Sequence, residues 1–268
     1  MILAGVINTG SDLRTITVNN GVTSLTGALT GTGGFVKDGA GTLSLTGNAN
    51  STFTGNILVN QGFLALGSNG NSADSSGIGS TASRVITVQN GAGLLVFSNW
   101  NVTSVKSIVV GAGGAEFKVA GSSNFNIDDG NQISGSGNIL KTGYGTFTLA
   151  TTTYNYTSEI TVAKGRLSVG GTNGLVLGAV GPNSGVKVLN GAEMVVTGAS
   201  TISEYITLNG VGDSSIGAQG AYGGSLVVTA AATFNGPITL ASNSAIGVSS
   251  GVTSTINSAL GSLPLAWL

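Results

Sequence analysis

The densest cluster of side chains able to do chemistry is Asp128-Asp129-Gly130-Asn131. Two carboxylates beside a glycine could ligate calcium, or work as an acid pair on a sugar. Adjacent residues on a strand point to opposite faces, however, and the ligand spacing of an EF-hand is absent. The tetrapeptide reads better as a polar turn, with Asp128 and Asp129 as the candidates for a metal or acid role. A polysaccharide lyase or hydrolase would need several acids converging on one face, and the 10 acidic residues are spread along the chain. There is no histidine and no cysteine. Ser-His-Asp and Cys-His catalysis, His-ligated zinc, haem, thiolate metal sites and disulfides are therefore excluded. No catalytic residue and no cofactor are assigned, and a non-enzymatic protein is expected.

Three further groups stand out. Lys37 and Lys141 occupy equivalent places in two similar stretches. That equivalence argues for a structural task, such as covering a turn or bonding carbonyls of a neighbouring coil. Phe53 and Tyr156 are also equivalent and are expected to pack at an edge. Tyr154 and Tyr156 lie two apart, so alternation puts them on one face, where they could stack on a glycan if both point outward.

These side chains must be carried by short strands. Ile16-Thr17-Val18-Asn19-Asn20-Gly21, Ile86-Thr87-Val88-Gln89-Asn90-Gly91 and Val186-Lys187-Val188-Leu189-Asn190-Gly191 each alternate apolar and polar residues and end in Asn-Gly. Such residues tolerate the positive φ of a tight corner. No segment keeps a 3.6-residue apolar period, and the 46 glycines would penalise helices. Asn-Gly also marks antiparallel hairpins, so a sandwich is the competing fold. The many short strands with apolar residues at recurring places favour an all-β, right-handed parallel β-helix, a single β-solenoid domain over residues 1–268. At roughly 20 residues per coil it would hold roughly 13 coils and be about 60 Å long.

The strongest internal signal is a repeat. Gly33-Gly34-Phe35-Val36-Lys37-Asp38-Gly39-Ala40-Gly41-Thr42-Leu43-Ser44-Leu45 returns as Gly137-Asn138-Ile139-Leu140-Lys141-Thr142-Gly143-Tyr144-Gly145-Thr146-Phe147-Thr148-Leu149. Each copy then runs through Phe53-Thr54 or Tyr156-Thr157 to a strand, Ile57-Leu58-Val59 or Ile160-Thr161-Val162. The units span about residues 31–70 and 135–174. A repeat of this kind sets the architecture. Its Lys-x-Gly-x-Gly-Thr-Leu-x-Leu core resembles the autotransporter-associated β-strand repeat, with Phe147 in place of a leucine and Ser158 in place of the usual glycine after Thr. The resemblance implies a β-helical passenger, extracellular or on the surface of a Gram-negative bacterium, with an adhesive or aggregating role. It implies no catalytic residues.

Charge and ends complete the reading. Nine Lys and Arg against ten acids, scattered singly, give a net charge of −1 and no basic stripe for nucleic acid. No apolar run approaches the about 18 residues of a membrane helix, so no membrane insertion of this portion is expected. The last residues, 260–268, form an uncharged apolar tail or cap. Ile2, Leu3 and Val6 at one end and Leu263, Leu265, Trp267 and Leu268 at the other are candidates for head-to-tail self-association, because strand edges template further pairing. Surface glycans or a neighbouring cell surface are the other expected partners. A filament subunit and a viral fibre shaft remain alternatives to the passenger.

Overall fold

The computed structural model describes residues 1–46, 51–67, 78, 83–102, 106–128, 132–150, 154–170, 184–212, 225–258 and 260–262. Its strands are as short as their sequences suggest, and their alternation is read directly as burial. In Arg84–Val88 every second residue is buried, so Ile86 and Val88 point inward and Val85 and Thr87 outward. Every described strand pair is parallel, and the residues paired lie one winding apart: Val22 with Thr42, Ile86 with Ile108, Ile139 with Ile160. That pattern is a parallel β-helix and overturns the antiparallel sandwich.

Each winding has three faces. From Gly93–Val96 the chain turns to Trp100–Val102, then to Lys106–Val110, and returns beside its start as Ala115–Val119. The long face is a 12-stranded sheet from Ile2–Leu3 to Leu260–Ser262. The second face carries a two-stranded and a seven-stranded sheet, the third a seven-stranded and a three-stranded sheet. One strand of the long face per winding gives twelve windings, about 50 Å from first to last, fewer than the thirteen expected. The reason is that coils are not uniform: Ile206 pairs with Ile238, 32 positions on, where Val22 pairs with Thr42, 20 on. The ladder keeps its parallel register across coils of either length.

Inward side chains stack in columns. On the second face Trp100, Phe125 and Phe147 are register partners, and their rings stack at 5.0 and 5.2 Å. Phe117, from the long face, meets Phe125 and Phe147 edge-on at 5.5 and 5.4 Å. Such pairs add about 0.5–1.5 kcal/mol each beyond their buried area.

The two sequence repeats do not superpose along one face. In the first copy Phe35–Asp38 lies on the third face and Thr42–Leu45 on the long face. In the second, Ile139–Thr142 lies on the long face and Thr146–Leu149 on the second. The copies are four windings and one face apart. The repeat is thus a corner unit, strand–glycine turn–strand, used at the third-to-long corner in one copy and at the long-to-second corner in the other.

Candidate functional site

The repeated lysines pin corners. Lys37 points inward in a column with Val59, and its side chain is fully buried. Its Nζ donates to the carbonyls of Asp38 (3.0 Å), Gly39 (2.7 Å) and, on the next coil, Gln61 (2.9 Å). Lys141 repeats this arrangement with Thr142 (2.9 Å), Gly143 (2.8 Å) and Lys164 (2.9 Å). The ammonium supplies further donors to turn carbonyls, of which Asp38 O also accepts the Val18 N–H at 2.9 Å. Burial pushes the Lys141 ammonium down to about 7. Burial also lowers Lys37, opposed by the charge of Asp38. The structural task expected of these lysines is the one the geometry gives them, and it removes them from the list of binding groups.

The tyrosine platform expected from sequence is not formed. Tyr154 and Tyr156 do share a face, but that face is the interior. Tyr154 Oη donates to Ile127 O at 2.7 Å, and Tyr156 Oη lies 2.8 Å from Gly137 O and 3.0 Å from Glu159 O. Burial raises the Tyr156 phenol above its ordinary range. Phe53, expected at an edge, is buried in the core, its ring 5.6 Å from that of Phe35 and tilted at 41°. Alternation gives which residues share a face; it does not say which face is inside.

Asp128 is exposed, with its backbone N–H donated to Gln132 Oε1 at 3.1 Å, and Asp129 lies outside the described residues. Among the described residues no group of three His, Cys, Asp or Glu could hold a metal ion. Of the expected self-association residues, Ile2 (72%), Leu3 (39%) and Val6 (69%) are exposed on the first winding. Leu263, Leu265, Trp267 and Leu268 lie outside the described residues.

A concavity that the sequence did not announce lies where the third face turns into the long face. It has a volume of about 580 Å³ and is lined by Gly91, Gly113, Gly114, Glu116, Asn138 and Leu140, with Thr161 on the next coil. Gly137 is obligatory there, since a Cβ would sit 2.0 Å from Gly111 O. Outward residues of the long face make the wall: Glu116, Leu140 and Thr161 are register partners on successive coils. Thr142 Oγ1 donates to Glu116 Oε1 at 2.5 Å, and Thr161 Oγ1 to Glu159 Oε1 at 2.7 Å. The signal for this groove was the change in corner glycine pattern near residue 135, legible only once the winding is known.

No family model matches the chain, and no solved structure matches it. Over 155 residues it is 36% identical to the adhesin BmaC autotransporter of Brucella suis biovar 1 (strain 1330). This chain is a parallel β-solenoid that is similar, over about half its length, to a small part of an autotransporter adhesin. The match takes in 53% of the chain and 4% of the adhesin's length. The resemblance read from the Lys-x-Gly-x-Gly-Thr-Leu repeat is thus met independently by a relative of the same kind and by a parallel β-helix.

Proposed function

We propose that this β-solenoid is a non-enzymatic, adhesive part of a surface protein, presented extracellularly by a Gram-negative bacterium as an autotransporter passenger. The observation that carries the reading is the uninterrupted parallel winding together with the similarity to an autotransporter adhesin. A stack of coils holds lateral surfaces at fixed spacing, and rigid extended surface is what adhesion requires of a scaffold. The test is to couple the purified chain to beads and count their retention on bacterial lawns and host-cell layers against beads bearing an unrelated β-solenoid. Equal retention would sink the adhesive reading.

Head-to-tail self-association is the finer proposal. It is supported by the exposure of Ile2, Leu3 and Val6 around the first strand of the long face. Light-scattering mass should exceed that of the 26.2 kDa chain and fall to it in an Ile2→Asp/Val6→Asp variant. A monomeric wild type would end this proposal and leave adhesion through a lateral face.

A further inference from the structure

The groove at the third-to-long-face corner has the chemistry of a ligand site, and we infer that it binds a neutral oligosaccharide. This deepens the adhesive reading and rests on it for its biological use.

Its floor is glycine: Gly91 and Gly113 expose bare backbone, and the buried Gly114 and Gly137 lie beneath them. The opening spans three inter-coil spacings, about 14 Å, a length suited to a short extended chain rather than a compact cofactor. A peptide strand does not fit the site. Strand addition needs unpaired backbone groups, and here five backbone donors of the lining are already used. Gly91 N–H donates to Gly114 O (3.0 Å), Gly114 N–H to Gly111 O (3.2 Å), Ala115 N–H to Asn138 O (2.9 Å), Glu116 N–H to Ala92 O (2.9 Å) and Gly137 N–H to Val110 O (3.2 Å). Recognition falls to side chains.

Those side chains select a polyol. Glu116 is half-buried, and Thr142 occupies one of its oxygens, which leaves the other as an acceptor toward the groove. A carboxylate accepts strongly from sugar hydroxyls. Asn138 is exposed, and its Oδ1 accepts the Glu159 N–H at 3.3 Å, so its amide N–H donors are left to the ligand. The Ser136 hydroxyl is exposed at the rim. Leu140, 40% exposed between them, gives an apolar patch for the C–H face of a ring. The charge pattern sets the sign. Glu116 lines the groove and Glu159 stands beside it, while no lysine or arginine is in the lining. Lys118, the cation nearest to Glu116 in sequence, lies 5.8 Å from the centroid of the Phe63 ring, two coils back in the Glu116 column, and is not in the lining. Lys187 stands one coil beyond Thr161 in the same column, outside the lining, so sialylated, sulfated and uronic-acid chains would still meet Glu116 within the groove and are disfavoured.

The experiment titrates the chain with cellotetraose, maltotetraose and chitotetraose, and with sialyllactose and a heparin tetrasaccharide, followed by amide chemical shifts. At least one neutral saccharide should shift the amides of Gly91, Gly113, Gly114 and Gly137. Glu116→Ala and Leu140→Arg should each weaken it about tenfold or more, with the melting temperature unchanged. If no neutral saccharide shifts these amides, if both variants bind as the wild type does, or if the acidic saccharides bind more tightly, the inference is overturned. Bead retention separates the two levels. Beads that adhere equally with wild type and both variants leave adhesion standing and remove the groove. Beads that adhere to nothing, while the saccharide still shifts the four amides, remove adhesion and leave the groove.

Discussion

At the scale of single residues the corner lysines are the most consequential groups. Removing the ammonium from Lys37 or Lys141 takes a donor from three buried or part-buried turn carbonyls at each corner, of which Asp38 O keeps the N–H of Val18. An unsatisfied buried polar group costs about 1–3 kcal/mol, partly offset by no longer burying a charge. Lys37→Met and Lys141→Met should each destabilise the chain by about 2–4 kcal/mol in guanidinium unfolding. A pH profile follows from two buried groups. Lys141 sits near 7 when folded against 10.5 unfolded, so between those values the unfolded chain holds a proton that the folded chain has released. Stability therefore rises with pH across that window. Glu204 is pushed up to about 7 by burial, against 4.5, so between those values the folded chain holds the extra proton and stability falls as pH rises. The combined curve has a minimum near neutrality. Lys141→Met should flatten its alkaline limb and Glu204→Gln its acidic limb. Unfolding midpoints that do not change from about pH 4.5 to about pH 10 would contradict both assignments. The lysine role was legible in sequence because equivalence across a repeat is a structural signature. The tyrosines were misplaced because period-2 patterning carries no inside or outside by itself.

At the scale of elements, the corner decides what a coil can tolerate. Gly62 and Gly165 are equivalent in the two repeats, with φ of 62° and 70°, and a Cβ on either would lie 2.3 Å from a carbonyl oxygen of the preceding coil. Gly91 has a similar φ of 73°, but a Cβ there would meet nothing within 4 Å. Gly91→Ala should therefore cost only the strain of a left-handed residue, about 1–2 kcal/mol. Gly62→Ala and Gly165→Ala must also push two coils apart and should cost clearly more, or prevent folding. Calorimetric melting of the three variants checks this; equal losses would mean that φ alone, not the close approach, fixes these glycines. Strands and turns were legible because Asn-Gly after an alternating run is local chemistry. The face on which each strand lies was not, because it depends on how many corners intervene.

At the scale of the whole molecule, each winding contacts only its neighbours, so stability is built from coil–coil terms. Central windings have a partner on each side and hold the Trp100–Phe125–Phe147 stack. Hydrogen exchange should be slowest in Gly93–Val96, Ala115–Val119 and Ile139–Thr142 and fastest in Ile2–Leu3 and Thr255–Ile256. Uniform protection along the rod, followed by mass spectrometry, would instead indicate one global unit. The amino-acid sequence by itself determined the all-β class, the short alternating strands with their glycine turns and the absence of histidine and cysteine chemistry, and it favoured the parallel winding over a sandwich, since composition, period and turn residues act over a few positions. Only the tertiary structure decided that the two repeats lie one face apart, that Tyr154 and Tyr156 point inward, and that a groove opens beside Glu116. Each of these depends on the total rotation accumulated over coils of unequal length, from 20 to 32 residues, and no local pattern records that sum.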